Sequence, residues 1–206
     1  MPVKLHTADW SCALPISSSW WQSYSWKNEL KTQLDRVLLH AHEVLNEDFQ
    51  GDHDPLDMLE RAIVLAAFCI RRMSEKKLVT DEYASSSRRV RSFPARSGSD
   101  FRPPYHGRAG GTAFQNYAFD QPEWIALKPT ELANEIIHSS QLMVLGEENF
   151  AEDGFLIASD RNLKRRVLHL SFEEFSEYAT SVLDDRVRFT SDSWDPDSGK
   201  VTSVRS

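Results

Sequence analysis

Residues 55 to 78, PLDMLERAIVLAAFCIRRMSEKKL, constrain the fold of this chain more than any other stretch. From Ala62 to Ile70 every side chain is apolar. On a helix, Leu59, Ile63, Ala66 and Ile70 form one seam, and Val64, Leu65, Ala67, Phe68 and Cys69 fill the remaining sides. A helix apolar nearly all round belongs at the centre of its domain. The run falls far short of the roughly 20 residues that span a bilayer. Its ends are well marked. Asp54 suits the N-cap, Pro55 the first helical position and Asp57 the positive end of the dipole. Arg71, Arg72, Lys76 and Lys77 suit the negative end. This reading expects Phe68 to be buried, with Phe68→Ala costing roughly 3–5 kcal/mol.

Other segments are read by the same periodicities. Residues 27 to 48 predict a long helix through Leu30, Leu34, Val37, Leu38, Ala41 and Leu45. Residues 84 to 112 are rich in Ser, Arg, Gly and Pro and read as a long basic loop. The stretch from 113 to 127 supports no assignment. Lys128 to Leu142 reads as a short helix with an apolar stripe of Leu132, Ala133, Ile136 and Ile137. The period then changes. LMVL (142–145), GFLIAS (154–159) and RVLHLS (166–171) suit strands of an antiparallel hairpin or meander. Ser171 with Glu174 predicts a capping box that opens a helix to about Asp185. In the tail, DPDSG is turn chemistry between two short strands.

The chain has 206 residues and a formal charge of −7, which argues against general coating of nucleic acid. The charge is unevenly spread. Arg71 to Arg108 holds ten basic and four acidic residues, a net +6 that leaves −13 for the rest. Such a stretch can meet a phosphate backbone or an acidic protein partner, or neutralise the protein's own acidic surface. Arg88, Arg89, Arg91, Arg102 and Arg108 are the candidate binding residues. The two cysteines, Cys12 and Cys69, form no C-x-x-C pair and fit a reducing, cytoplasmic setting. MPVKLH does not resemble a secretory leader, and neither a leader nor a membrane segment is expected. Trp10, Trp20, Trp21 and Trp26 crowd residues 1 to 26, which read as an aromatic arm pinned to the core.

One constellation points to chemistry. Glu131, Asn134, His138 and Gln141 recur at helical spacing on a face of the 128–142 helix. Asn134 and His138 are one turn apart. Histidine can move protons near neutral pH, and asparagine can orient a substrate. His40 and His42 lie on different helix faces and do not suggest a shared metal. Asp52, His53 and Asp54 carry ligand residue types, but Asp54 is better used as a cap. Asp192, Asp195 and Asp197 lack EF-hand spacing. No metal, cofactor or dinucleotide motif is expected.

Ala133-Asn134-x-x-x-His138 is similar to the signature of HEPN-like helical domains, where an Arg-Asn pair precedes a histidine. Asn134 and His138 match, and Ala133 stands at the arginine position. LERAIVLAAFCIRRMSEKKL (59–78) and GFLIASDRNLKRRVLHLSFEEF (154–175) also resemble a set of uncharacterised bacterial proteins that carry this pattern. The resemblance implies a helical bundle that often dimerises and serves in toxin–antitoxin or antiviral systems. Active members cut RNA without metal. Loss of the arginine removes the obvious partner for charge developing on phosphate. Arg61, Arg71 or Arg72 could stand in for it.

The expectation is a mostly helical α+β fold. Residues 1–26 form the aromatic arm, and 27–141 a helical bundle with its basic loop. Residues 142–206 form a small antiparallel sheet and a final helix, packed on the bundle as one domain. The leading functional reading is a non-catalytic, HEPN-like interaction or RNA-associated domain, with RNA, an acidic protein or a second copy as partner. The alternatives are a metal-independent ribonuclease using His138 and Asn134, and a structural subunit that binds no nucleic acid. An arginine within reach of His138 favours the ribonuclease. Arginines folded onto acidic residues favour the structural subunit.

Overall fold

The computed structural model describes residues 19–47, 54–99, 101, 115–146 and 153–206. The helices are α1 (Ser19–Leu45), α2 (Pro55–Glu75), α3 (Asp81–Ser85), α4 (Pro129–Ile137) and α5 (Phe172–Asp184). The strands are β1 (Arg88–Pro94), β2 (Glu123–Leu127), β3 (Ser139–Leu145), β4 (Gly154–Ser159), β5 (Arg166–Ser171), β6 (Thr190–Trp194) and β7 (Val201–Arg205). Five strands form one antiparallel sheet in the order β2-β1-β5-β4-β3, and β6 and β7 form a separate hairpin.

This arrangement corrects the expected fold class. The sheet is a full layer of the molecule, with strands from both halves of the chain, and not a small C-terminal addition to an N-terminal bundle. The correction comes from the supposed basic loop. RRVRSFP forms β1, which lies between β2 and β5 and ties the early chain to the late meander. Arginine at three of its seven positions hides the strand's period of two. The alternation is nonetheless present, with Val90 and Ser92 on one face and Arg91 and Phe93 on the other. Pro94 closes the strand, where its missing N–H costs least. β2 comes from the stretch left unassigned.

Helices α1, α2, α4 and α5 cover one face of the sheet. Leu30, Val37, Ile63, Ile70, Ile136 and Phe175 meet Val90, Phe155, Ile157, Leu168 and Leu170 in one continuous core. A second, smaller cluster sits on the opposite face, where Phe93, Leu156, Ala158 and Val167 pack with Tyr117 and Leu163. β4 is consequently buried at every position. It passes so close to β5 that a Cβ on Gly154 would lie 2.2 Å from the Leu170 carbonyl oxygen.

The cap readings are realised. The Asp54 side chain accepts from Leu56 N, and Ser171 with Glu174 closes a reciprocal capping box at the start of α5. α2 is the central helix, with Leu59, Ile63, Ala66, Ile70 and Met73 essentially inaccessible. Phe68 is not among them. It is 44% exposed and meets the Trp26 ring edge-on, with centroids 6.0 Å apart. One side of α2 faces outward, so an apolar residue on every side did not make every side core. Trp26 itself belongs to α1, and Trp20 and Trp21 also fall within that helix. Trp10 lies outside the described residues.

The C-terminal end of α5 is fastened to earlier elements. The Lys27 ammonium donates to the carbonyl oxygens of Leu183, at 2.9 Å, and Asp185. The Asp185 carboxylate accepts from Thr80 N at 2.8 Å and Thr80 Oγ1 at 2.6 Å. Burial pulls the Lys27 ammonium below its usual pKa, against the opposing pull of Asp185. Among the described residues, no helix is long and apolar enough to cross a membrane.

Candidate functional site

The expected site residues fall at the two ends of α4. Pro129 begins the helix beside Tyr178, whose hydroxyl donates to the Pro129 carbonyl at 2.6 Å. His138 caps the other end, its N–H donating to Asn134 O at 3.0 Å. A rise of 1.5 Å per residue puts these ends about 14 Å apart. The basic strand β1 stands near the first end and His138 at the second, so they are not one compact centre.

At the His138 end, Asn134 and His138 are both exposed. Arg71, on the last turns of α2, brings Nη1 to 3.3 Å from His138 Nε2. Arginine has no acceptor, so the imidazole must accept, which requires an unprotonated Nε2 and the ring proton on Nδ1. The same guanidinium donates through Nε to Glu75 at 2.7 Å. Of Arg61, Arg71 and Arg72, Arg71 is the one shown in contact with His138. Position 133 could not supply one, because Ala133 is fully buried in the core and an arginine there would point inward.

The turn after β4 braces this end of the helix. Asp160 N donates to His138 O at 3.1 Å, and Ser140 Oγ donates to the Asp160 carboxylate. Asn162 donates to Glu135 Oε1, with an Arg166 nitrogen 4.0 Å from the same oxygen. Glu135 Oε2 and Arg166 Nε are buried and make no hydrogen bond among the described residues. The helix ends at Ile137 and Gln141 lies on β3, so the expected polar face of Glu131, Asn134, His138 and Gln141 stops at His138. No group of three or more metal-ligating side chains occurs among the described residues.

At the other end, Arg88, Arg89 and Arg91 stand on β1. Arg91 is directly opposite Trp124 of β2. The guanidinium carbons of Arg89 and Arg91 lie 5.2 and 5.4 Å from the Trp124 ring centroid. Trp124 remains 48% exposed, an unusual state for so large an apolar side chain. By alternation it projects from the sheet face opposite the helices, since Ile125 and Leu127 pack into the helical core. Arg88 turns the other way, 5.7 Å from the Tyr178 ring centroid and 3.4 Å from the Glu177 carbonyl oxygen. Arg96 pairs with Asp120 at 3.0 Å, so that one basic residue folds onto an acidic one. Arg102 and Arg108 lie outside the described residues.

Sequence reading missed Trp124. The signal was EWIAL itself, a five-residue alternation with Ile125 and Leu127 on one side and Trp124 and Ala126 on the other. No family model, curated protein or solved structure matches this chain.

Proposed function

We propose that this chain is an RNA-associated domain that binds unpaired strands along β1 and β2 and does not cut them efficiently. One observation carries the reading: an exposed tryptophan on β2 with two arginines of the adjacent strand β1 beside its ring. An indole face can stack on any base, and flanking guanidinium groups can meet the phosphates that follow. Duplex RNA hides its base faces and would gain little from Trp124. The overall charge of −7 does not oppose this, because Arg88, Arg89 and Arg91 gather on one strand.

The test is binding of labelled single-stranded RNA at several salt concentrations. The expected log–log slope is about −0.7 for each phosphate contact. Trp124→Ala should weaken binding by about 1–3 kcal/mol, the range for one base stack. Joint replacement of Arg89 and Arg91 by alanine should flatten the salt slope. Absence of binding, or binding indifferent to salt and to Trp124, would sink the reading.

A second reading, metal-independent RNA cleavage, is supported by the Arg71–His138 contact. A neutral imidazole beside a guanidinium has the parts to accept a hydroxyl proton and to face the charge on phosphorus. Two features weigh against efficient turnover. Arg71 is already paired with Glu75, and the histidine stands in open solvent, where electrostatic stabilisation is weakest. Cleavage by the unmodified protein in chelator would promote this reading, provided that His138→Ala abolishes it at unchanged stability. Arg71→Ala should then cost on the order of 10²–10³ in rate.

A further inference from the structure

A pocket of about 260 Å³ opens between β1, α4 and α5. Val90, Leu132 and Tyr178 give it an apolar floor, and Arg88, Glu174 and Glu177 give it a charged rim. We propose that this pocket receives a guanine base. The inference rests on the single-strand reading above and adds base selectivity to it. The pocket is on the helical face of the sheet and Trp124 on the other, and Arg89 borders this pocket and also lies over Trp124, so a bound strand passes from one face to the other at Arg89.

Size and chemistry select the ligand. Pockets for drug-sized ligands run to about 300–1,000 Å³, so this one suits a single planar ring system. The floor is apolar, with the Tyr178 ring lying beneath the Arg88 guanidinium. The rim presents opposite charges. The Arg88 guanidinium is steadied over Tyr178 and by the Glu177 carbonyl oxygen. Glu174 spends one carboxylate oxygen on the Ser171 N–H at 2.9 Å. The Glu177 carboxylate is exposed and makes no hydrogen bond to a described residue. Guanine offers two neighbouring N–H donors, N1 and N2, which a carboxylate can accept together. It also offers O6 and N7, the acceptor pair that arginine grips with its fork. Adenine, cytosine and uracil each lack the paired donors. Glu177 is assigned to the donor edge and Arg88 to the acceptor edge.

The experiment measures anisotropy of short labelled single strands: all-uridine, uridine with one central guanosine, and the same strand with inosine, which lacks the 2-amino group. One guanosine should tighten binding about 5- to 100-fold, the span of one bidentate pair. Inosine should forfeit part of that gain. Glu177→Gln should erase the guanosine preference, and all-uridine binding should not weaken, since a negative charge near the phosphates is removed. Equal binding of the three strands, with Trp124→Ala weakening all of them, would overturn the guanine assignment and leave the single-strand reading intact. If no strand binds, titration with guanosine monophosphate decides between the sources of the base. Binding lost in Glu177→Gln would assign the pocket to a free nucleotide, and no binding would overturn it.

Discussion

Buried ionisable side chains give single residues a measurable voice in stability. Burial pushes the Cys69 thiol up to about 12 and raises the hydroxyls of Tyr83, Tyr117 and Tyr178 above their ordinary range. In the unfolded chain these groups ionise near about 8.5 for cysteine and 10 for tyrosine. The native state therefore holds its protons longer, and stability is lost as pH rises past those values. Urea midpoints should fall first above about pH 8.5, then more steeply above about 10. Each tyrosine then removes up to about 1.4 kcal/mol per pH unit. Cys69→Ala should remove the earlier onset and leave the later one. Phe68 is the residue where sequence and structure part. With nearly half its surface in water, Phe68→Ala should cost about 1–2 kcal/mol, well below Ile63→Ala at roughly 2–5. The apolar run could not reveal this, since a bare hydrophobic pattern does not say which neighbour is missing from one side of a helix.

Among the elements, legibility followed the strength of the local signal. β4, β5 and α5 were readable almost to the residue, because GFLIAS and RVLHLS are short apolar runs and Ser171 announces the helix. α2 and its Asp54 cap were readable for similar reasons. β1 was not, because its arginines imitate a solvated loop, and only pairing with β2 and β5 makes it a strand. The same strand carries the candidate interface, so the error concerned both fold and site. His138 was singled out from helical spacing, and it stands at the C-cap of α4. Its partner Arg71 lies on another helix and could only be shortlisted. Two variants probe element packing. Gly154→Ala should destabilise by about 1–3 kcal/mol or more, because backbone of β5 occupies the place of the added methyl. Ser171→Ala should cost about 1 kcal/mol through loss of the α5 cap. Chemical denaturation of each variant measures both.

For the molecule as a whole, the β6–β7 hairpin stands apart from the two packed layers. Every residue of β6 is exposed, and an isolated two-stranded ribbon is marginal in water. It is tied back where Arg205 N donates to the Asp81 carboxylate at 2.8 Å, while the Ser206–Phe189 pair only extends the hairpin. Removing residues 186–206 should leave the melting temperature of the core nearly unchanged, while cutting before Asp185 should lower it by releasing Thr80. Amides of β6 and β7 should also exchange with solvent faster than those of β4.

The central place of β1 has a kinetic consequence. β3, β4 and β5 follow one another closely in sequence, whereas β1 must find β5 across about 75 residues of chain. Loop-closure entropy delays that encounter, so refolding should proceed with the meander and α5 assembled first and β1–β2 docking last. Until then the outer edge of β5 stays unsatisfied and able to pair with another molecule. Refolding yield should therefore fall as protein concentration rises, and a synthetic RRVRSFP peptide added during refolding should slow recovery by occupying that edge.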